Sequence, residues 1–318
     1  MTDDDDRWMG AALALAVRGV GRTAPNPSVG CVVVQRGRVV GRGWTQPGGR
    51  PHAEAIALKQ AGAAAAGATV YVTLEPCAHV SVRGPACADA LVAAAPARVV
   101  IAVTDPDPRT AGEGIARLRA AGIAVTVGIR EAEARAINAG FFSRLATGRP
   151  HVTLKLALSL DGAVAMTDGT SRWITGAAAR AHAHLERARA DLIVVGRGTI
   201  EADAPTLDVR LPGLAERSPR VAVLSRTMAG AMRDFAEVDA MADVLSVLVE
   251  GGAGVAALLL AADRVDRLLI YRAPVILGSG RGLRDIGLSD LAAAHGRWAR
   301  TALRPLGADM LEVYARTR

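Results

Sequence analysis

Lysine is nearly absent from the 318-residue sequence: Lys59 and Lys155 are the only two, and arginine carries the remaining positive charge. Lys and Arg together number 38 against 31 Asp and Glu, which gives a net charge of +7. Such a balance can indicate a nucleic-acid partner, but no basic run is interleaved with aromatic residues. We therefore favour a general replacement of lysine by arginine, with small phosphorylated ligands neutralising part of the charge.

Cysteine is also scarce, with Cys31, Cys77 and Cys87 alone. So few cysteines argue against structural disulfides and predict a cytoplasmic protein. The N-terminal run Asp3–Asp6 is acidic where a signal peptide is basic, and we expect it to start a frayed, solvated helix. The apolar stretch Ala11–Val17 is too short to cross a bilayer, so no membrane association is expected.

Aromatic residues make up only 3% of the chain and apolar residues 51%, so alanine, valine, leucine and glycine must build the core. The length suggests about two domains. Both halves alternate short Val/Ile/Leu runs with Ala-rich stretches, which predicts an α/β fold with mainly parallel sheets covered on both faces. The Gly- and Pro-containing linker Ala146–Pro150 separates the predicted domains, residues 1–146 and 151–318.

Strands and helices alternate in this prediction. The predicted strands are Gly30–Gln35, Thr69–Leu74, Val99–Val103, Ile123–Val127, His151–Leu158, Leu192–Val195, Arg220–Leu224, Val244–Val249 and Arg267–Ala273. The predicted helices are Trp8–Arg18, His52–Gly62, Ala86–Ala94, Gly112–Ala121, Ala177–Ala190 and Gly254–Ala262. His52 therefore opens a helix, and Cys77 and Cys87 lie in the loop that enters the next helix.

The strongest chemical signal is the set His52-Ala53-Glu54, Pro76-Cys77 and Cys87. Histidine and two thiolates are zinc ligands, and three protein ligands leave a fourth position open for water. Glu54 is not needed as a ligand and can move protons, which is the arrangement of zinc-dependent deaminases. Taken singly, a His-x-Glu pair is usually a solvated helix start, and a cysteine is usually a buried apolar residue. We assign that structural role only to Cys31, which lies in an apolar run.

Two glycine-rich segments follow predicted strands in the second half, at Val195–Thr199 and Glu250–Gly254. Backbone N–H groups at a helix start can bind anions. Neither segment has the G-x-G-x-x-G pattern, so a Rossmann dinucleotide site is not predicted. A single glycine turn is usually only a tight turn, but two turns at strand ends, with the Ser171–Thr175 loop between, make a dinucleotide cleft a reasonable expectation.

Ten segments spread along the chain form a recognisable set. Those of the first half are Pro25–Gly30, His52–Glu54, Thr73–Cys77, Gly84–Cys87 and Thr104–Pro106. Those of the second half are Lys155–Gly162, Ser171–Thr175, Val195–Arg210, Glu250–Gly252 and Ala273–Gly278. Through these segments the chain resembles, over nearly its whole length, the bifunctional pyrimidine deaminase/reductase family of riboflavin biosynthesis. The resemblance implies an N-terminal cytidine-deaminase-like three-layer domain and a C-terminal dihydrofolate-reductase-like domain.

The resemblance also implies two consecutive reactions, with Zn²⁺ and NADPH as cofactors. The first is hydrolytic deamination of 2,5-diamino-6-(5-phosphoribosylamino)pyrimidin-4-one, and the second is reduction of its ribosyl group to ribityl. Zinc would be held by His52, Cys77 and Cys87, with Glu54 as the catalytic proton shuttle. The remaining implied residues are Asn26, His79 and Arg83 for the deaminase substrate, Ala157, Trp173, Thr199, Asp203, Ser225 and Gly252 for NADPH, and Ser171, Arg187, Leu207, Arg210 and Glu250 for the reductase substrate.

The chain departs from the family pattern in several places. The loop between the two cysteines is one residue longer than usual, and Gly84 replaces a threonine. Thr45 stands where a histidine is common, and Ala204 stands where a second aspartate is common after Asp203. The longer loop with Gly84 and the change to Thr45 concern contacts with the deaminase substrate and leave the zinc ligands intact.

Two other functions remain open from sequence. A nucleic-acid-editing zinc deaminase with an appended domain would bind RNA with a steep salt dependence, but it gives no reason for the Lys155–Gly162 and Glu250–Gly252 segments. A non-catalytic protein that kept the fold would not need the complete set of zinc-site residues. We expect an enzyme that acts on a small phosphorylated pyrimidine, does not bind nucleic acid, and forms a homo-oligomer, either a dimer or a tetramer.

Overall fold

The structure is a computed structural model that describes residues 3–79 and 84–318. The chain divides into two compact units, Met1–Gly148 and Arg149–Arg318, called here the N-terminal and C-terminal units. The last helix of the N-terminal unit, α6 (Ala139–Thr147), includes Ala146 and Thr147, although we predicted them in the linker. Among the helices of the described residues, none has the length and apolar character needed to cross a bilayer.

The N-terminal unit is built on a five-stranded sheet in the order β2-β1-β3-β4-β5. Its strands are β1 (Gly30–Gln35), β2 (Arg38–Trp44), β3 (Thr69–Val72), β4 (Arg98–Ile101) and β5 (Ala124–Val127). β3, β4 and β5 are mutually parallel. β1 is antiparallel to both of its neighbours, so this sheet is not mainly parallel as we predicted.

The reason is a tight hairpin that the sequence prediction missed. Arg36 and Gly37 both have positive φ, 49° and 72°, and two such residues form the turn whose twist matches paired antiparallel strands. β2 then returns beside β1 in register from Gly30 opposite Trp44 to Gln35 opposite Arg38. The hairpin supplies the edge strand against which the zinc-site helix packs.

Helices cover both faces of this sheet, which makes the unit three-layered. The helices are α1 (Asp3–Ala16), α2 (Ala53–Ala61), α3 (Cys87–Ala94), α4 (Glu113–Ala120), α5 (Glu131–Ile137) and α6 (Ala139–Thr147). Close contacts at glycine set the packing: a Cβ on Gly30 would lie 1.9 Å from the carbonyl oxygen of Ala12 in α1, and a Cβ on Gly43 would lie 2.3 Å from that of Ala53 in α2. Only glycine permits helices to approach this closely.

Helix α1 corrects part of our expectation of a frayed, solvated start, since Asp4 and Asp6 are exposed but Asp5 is not. The Asp5 side chain is buried, and Arg98 donates to both of its carboxylate oxygens at 2.9 Å. Tyr71 also donates to Asp5, at 3.0 Å. Because Arg98 and Tyr71 lie on neighbouring central strands, the ion pair fastens α1 to the sheet, a partner set that the Asp3–Asp6 run does not reveal.

The C-terminal unit contains a seven-stranded sheet in the order β11-β12-β10-β6-β9-β7-β8. Its strands are β6 (His151–Leu158), β7 (Leu192–Gly196), β8 (Arg220–Leu224), β9 (Ser246–Val249), β10 (Arg267–Arg272), β11 (Trp298–Leu306) and β12 (Asp309–Arg316). The five strands from β10 to β8 are parallel, as predicted. β11 and β12 add an antiparallel hairpin that we did not predict, because β11 is largely exposed and arginine-rich.

The helices of this unit are α7 (Ala177–Arg187), α8 (Arg197–Asp203), α9 (Ala236–Asp239) and α10 (Ala253–Ala261). The predicted helices Ala177–Ala190 and Gly254–Ala262 are confirmed with shifted ends. α8 and α10 pack on β7, and α7 packs on β12. Both α8 and α10 begin directly beyond strand ends, so the carboxyl ends of the central strands form the edge where a ligand can bind.

Candidate active sites

The predicted zinc ligands meet at one point in the N-terminal unit. His52 is the N-cap of α2, Cys77 follows β3, and Cys87 is the first residue of α3. His52 Nδ1 lies 3.2 Å from Cys87 Sγ and 3.6 Å from Cys77 Sγ. The three ligand atoms all lie within 4.8 Å of one another, which is a spacing that a single metal ion can bridge.

The two thiols shift each other's pKa in opposite directions. The hydrogen bond from Cys87 lowers the pKa of the Cys77 thiol, and that same hydrogen bond, together with burial, raises the pKa of Cys87. The backbone N–H of Cys87 also donates to Cys77 Sγ, at 3.3 Å. One imidazole nitrogen and two buried sulfur atoms form the donor set that zinc prefers, so the residues present fit a zinc ion.

Glu54 lies beside this cluster in the first turn of α2, with 3% of its surface exposed. Burial raises the pKa of its carboxyl group above the usual range, which suits a group that must both accept and release protons. Cys31 is fully buried in the sheet core, as expected for the cysteine without a ligand role.

The residues expected to contact the deaminase substrate have defined positions, except one. Asn26 donates to the carbonyl oxygen of Gly49 at 2.9 Å, and His79 Nδ1 lies 3.3 Å from Thr110 Oγ1. Arg83 lies outside the described residues. Thr45, which stands where the family often has histidine, is buried and accepts a hydrogen bond from the backbone N–H of Val29 at 3.0 Å.

A cleft of about 1820 Å³ opens at the carboxyl ends of the strands in the C-terminal unit. The two glycine loops face each other there, since a Cβ on Gly252 would lie 4.0 Å from Thr199 Oγ1. Nine of the residues expected to bind NADPH or the reductase substrate line the cleft: Ala157, Ser171, Trp173, Arg187, Thr199, Leu207, Arg210, Glu250 and Gly252.

The other two residues expected to bind NADPH are Ser225 and Asp203. Ser225 directly follows the cleft residue Leu224, but its hydroxyl is turned to the local backbone and accepts hydrogen bonds from the N–H groups of Thr227 and Met228. Asp203 ends α8, and its side chain lies outside what the structure describes. The next residue, Ala204, is exposed in a left-handed conformation with a φ of 38°.

Glu250 is the charged centre of the cleft. Arg187 donates to its two oxygens at 2.5 and 3.0 Å, and Lys155 Nζ lies 3.7 Å from Oε2. Burial raises the pKa of Glu250, but Lys155 and Arg187 outweigh it, and the net pKa falls below the usual range. Among the described side chains of the wall, Asp168 and Glu250 are outnumbered by the basic residues Lys155, Arg172, Arg180, Arg187, Arg197, Arg210, Arg281 and Arg284. The excess of positive charge favours phosphorylated ligands.

Comparison with known proteins agrees with both sites. The family model described as the cytidine and deoxycytidylate deaminase zinc-binding region matches residues 2–103. The model of the RibD C-terminal domain matches residues 150–233 and 231–310. Each match lies within the unit that contains the corresponding site.

Relatives match along almost the whole chain. The riboflavin biosynthesis protein RibD of Escherichia coli K12 is 41% identical, with 91% of this chain and 94% of that protein covered. RibD of Mycobacterium tuberculosis H37Rv is 40% identical, with 96% of each covered.

The chain belongs to the RibD family.

Solved structures of the RibD family have the same fold. One form of Acinetobacter baumannii RibD superposes with a TM-score of 0.88 at 36% identity, covering 99% of each chain. The Thermotoga maritima protein described as a diaminohydroxyphosphoribosylaminopyrimidine deaminase/5-amino-6-(5-phosphoribosylamino)uracil reductase superposes with a TM-score of 0.89 at 30% identity, covering 98% of this chain and 99% of that one. The predicted combination of a cytidine-deaminase-like and a dihydrofolate-reductase-like domain is confirmed.

Membership of the RibD family establishes the general activity. The chain is a bifunctional deaminase and reductase of riboflavin biosynthesis, with zinc and NADPH as its cofactors. This result favours the two-reaction prediction over an RNA-editing deaminase with an appended domain.

Sequence reasoning missed several residues at these sites. Lys155 and His184 line the reductase cleft, and Lys155 could have been noticed as one of only two lysines in the chain. In the N-terminal unit, Thr110 contacts His79, and the buried carboxylate of Glu75 accepts three backbone hydrogen bonds. The local sequence gave no signal for Thr110, because its partner is 31 residues away.

Proposed function

We propose that the N-terminal unit deaminates 2,5-diamino-6-(5-phosphoribosylamino)pyrimidin-4-one and that the C-terminal unit reduces the ribosyl group of the product to ribityl. In the first reaction water replaces an amino group of the pyrimidine, which leaves as ammonia. In the second reaction NADPH would, when bound, supply a hydride to the ribosyl carbon as the bond from that carbon to the ring oxygen breaks, and the released oxygen would take a proton from water.

For deamination, His52, Cys77 and Cys87 are the residues that would hold zinc, which supplies Lewis-acid activation of water. Glu54 takes the proton that the attacking water loses and returns it to the departing amino group. Its buried position supports this role, because a raised pKa brings the carboxyl group closer to the working pH.

Orientation of the deaminase substrate is assigned to Asn26, His79 and Arg83. The first two carry polar side chains, and each is anchored by a hydrogen bond to a distant segment. Such anchoring limits the rotamers of the two side chains and reduces the entropy lost on binding.

For reduction, we assign NADPH to Ala157, Trp173, Thr199, Asp203, Ser225 and Gly252. The substrate is assigned to Ser171, Arg187, Leu207, Arg210 and Glu250. The salt bridge between Arg187 and Glu250 supports the second assignment, since Glu250 holds the guanidinium rigidly in the cleft wall. A fixed guanidinium can bind a phosphate through two parallel hydrogen bonds, and lysine cannot.

The observation that carries the proposal is the convergence of three soft metal ligands beside a buried glutamate. The test supplies the purified chain with the diaminopyrimidine ribosyl phosphate, with and without NADPH, and identifies the products by mass spectrometry. Ammonia should be released both with and without NADPH, and the ribityl product should form only with NADPH. Ammonia release from RNA, with none from the pyrimidine, would instead favour the editing function.

A matched pair of variants locates the chemistry in the assay. Glu54→Gln should retain zinc and lose deamination by about 10²–10⁴-fold, the usual contribution of a general acid/base. Glu131→Gln makes the same chemical change at an exposed helix position, where the side chain pairs with Arg135, and should leave deamination unchanged. Normal deamination by Glu54→Gln would contradict the assigned role.

We further propose a cytoplasmic homo-oligomer that does not bind nucleic acid. Three free cysteines suit a reducing compartment. Strand β11 is an exposed edge of the C-terminal sheet, with Leu303 half exposed, and an open edge can pair with another copy. Sedimentation velocity at several protein concentrations tests the oligomer, and RNA titration at low salt tests the absence of nucleic-acid binding.

A further inference from the structure

Glu75 is a buried carboxylate that has no role among the residues assigned to the two reactions. It lies between β3 and the ligand Cys77, with 2% of its surface exposed. One carboxylate oxygen accepts hydrogen bonds from the backbone N–H groups of Asp105 and Gly112, at 3.1 and 3.0 Å. The other accepts from Ile115, at 3.0 Å. Glu75 therefore fastens both ends of the 105–112 loop to the segment that carries a zinc ligand.

The contact between these segments is close. Gly112 is the N-cap of α4 but has no side chain to accept the first-turn N–H groups, and Glu75 performs that function from another element. A Cβ on Gly114 would lie 2.1 Å from the carbonyl oxygen of Pro76. The start of α4 is consequently held in a fixed position against the Glu75–Cys77 segment.

The loop that Glu75 holds carries Thr110. This residue is fully buried, and its backbone N–H donates to the carbonyl oxygen of Asp107 at 2.8 Å. Its hydroxyl lies 3.3 Å from His79 Nδ1. Within the loop, the Asp107 N–H also donates to Asp105 Oδ1 at 2.9 Å. The backbone and hydrogen bonds of the loop therefore connect the Glu75 carboxylate to the ring of His79.

We infer that Glu75 is a positioning residue for deamination, acting through Thr110 to set the orientation of the His79 ring. The inference rests on the proposed function, in which His79 contacts the deaminase substrate. If His79 contributes equally to substrate and transition-state binding, its misplacement raises KM and leaves kcat nearly unchanged.

The test compares Glu75→Gln and Thr110→Val in the full-length zinc-loaded protein. Glutamine has only one acceptor oxygen, and its NH₂ group would face a backbone N–H whose hydrogen bond Glu75 accepts. Valine is similar in size to threonine but lacks the hydroxyl group. Each variant should raise KM for the diaminopyrimidine by about 3- to 10-fold, in keeping with one lost hydrogen bond. Zinc content, kcat of deamination and NADPH oxidation with the deaminated substrate should remain within about twofold. Thr110→Ser, which keeps the hydroxyl, should restore KM.

The double variant distinguishes positioning from a general loss of stability. Residues that act in series should be non-additive, so Glu75→Gln with Thr110→Val should raise KM no further than the larger single effect. Asp5→Asn is the matched control, because it changes another buried carboxylate of the same unit that holds α1. It should lower the unfolding temperature and leave KM unchanged.

His79→Ala separates failure of this inference from failure of the proposed function. If His79→Ala leaves KM unchanged, the assignment of His79 is wrong, and the positioning role falls with it. If His79→Ala raises KM while Glu75→Gln and Thr110→Val do not, the positioning role alone is overturned. Multiplicative effects of the two substitutions in the double variant would also overturn it.

Discussion

Asn138 pairs with the backbone of Ser28 through two hydrogen bonds, although 110 residues separate them. The Ser28 N–H donates to Asn138 Oδ1 at 2.7 Å, and Asn138 Nδ2 donates to the Ser28 carbonyl oxygen at 3.0 Å. A side-chain amide thus satisfies both backbone polar groups of the buried residue Ser28. This pairing anchors the segment that carries Asn26, one of the residues assigned to the deaminase substrate.

Asn138→Asp should destabilise the N-terminal unit, because a carboxylate oxygen replaces the NH₂ group that faces the Ser28 carbonyl oxygen. A buried acceptor left without its donor costs about 1–3 kcal/mol of unfolding free energy. Calorimetric unfolding of the full chain measures the change. Gln35→Glu is the control, since Gln35 donates to the Ala66 carbonyl oxygen at an exposed position, and its effect should be much smaller. Equal effects would contradict a special role for the buried pair.

Purified protein should contain about one zinc ion per chain, since one imidazole and two thiols converge at a single point. Cys77→Ser should lose most of that zinc. Cys31→Ala changes the one cysteine that lies in the core away from the ligand set and should keep it. Metal analysis after purification without chelator tests the prediction, and zinc retention by Cys77→Ser would count against the site.

The two reactions should be separable by single substitutions, because each assigned residue set lies within one unit. Cys87→Ser should abolish deamination but leave NADPH oxidation intact when the deaminated ribosylaminouracil phosphate is supplied. Arg210→Ala should weaken reduction, by about 10-fold or more if a bidentate phosphate contact is lost, and should spare ammonia release. A folded Cys87→Ser protein inactive in both reactions would indicate one composite site.

Acid should destabilise the C-terminal unit through Asp266. Burial opposes ionisation of this carboxyl group, but hydrogen bonds from Arg149, from the Val152 N–H and from Arg318 outweigh it and lower its pKa to about 2. A carboxyl group whose pKa is lower in the folded than in the unfolded state stabilises the fold when the pH is above its unfolded-state pKa, here 3.8. This contribution is about 2 kcal/mol, and it is lost as the pH falls from about 4 to about 2.

Denaturant unfolding between pH 2 and pH 7 tests this prediction. Asp266→Asn should lower stability at pH 7 and flatten the dependence below pH 4 relative to the unsubstituted chain. Asp243→Asn is the matched control, since Asp243 pairs with Arg220 at an exposed position and should leave the pH dependence unchanged. An acid dependence that is the same for Asp266→Asn and the unsubstituted chain would exclude Asp266 as the source.

Much of the chemistry could be predicted from the sequence alone. The ligands His52, Cys77 and Cys87 are recognisable because metal binding needs particular atoms, and few residue types provide them. Strands β1, β6 and β8 were predicted with the bounds that the structure has, because short runs rich in valine and leucine can be recognised in the local sequence.

Other features depended on tertiary structure. Whether Asp5 is solvated or buried depends on Arg98, which is 93 residues away, and the role of Glu75 depends on backbone groups that lie 30 to 40 residues further along the chain. Hydropathy cannot reveal such partners, because the local sequence around an Asp or Glu residue looks the same whether its carboxylate is solvated or lies in a buried ion pair. The sequence by itself determined which chemical groups were available and where strands such as β1, β6 and β8 lie. Only chain folding decided which distant groups meet, because hydrogen bonds and ion pairs depend on distances that the sequence order does not specify.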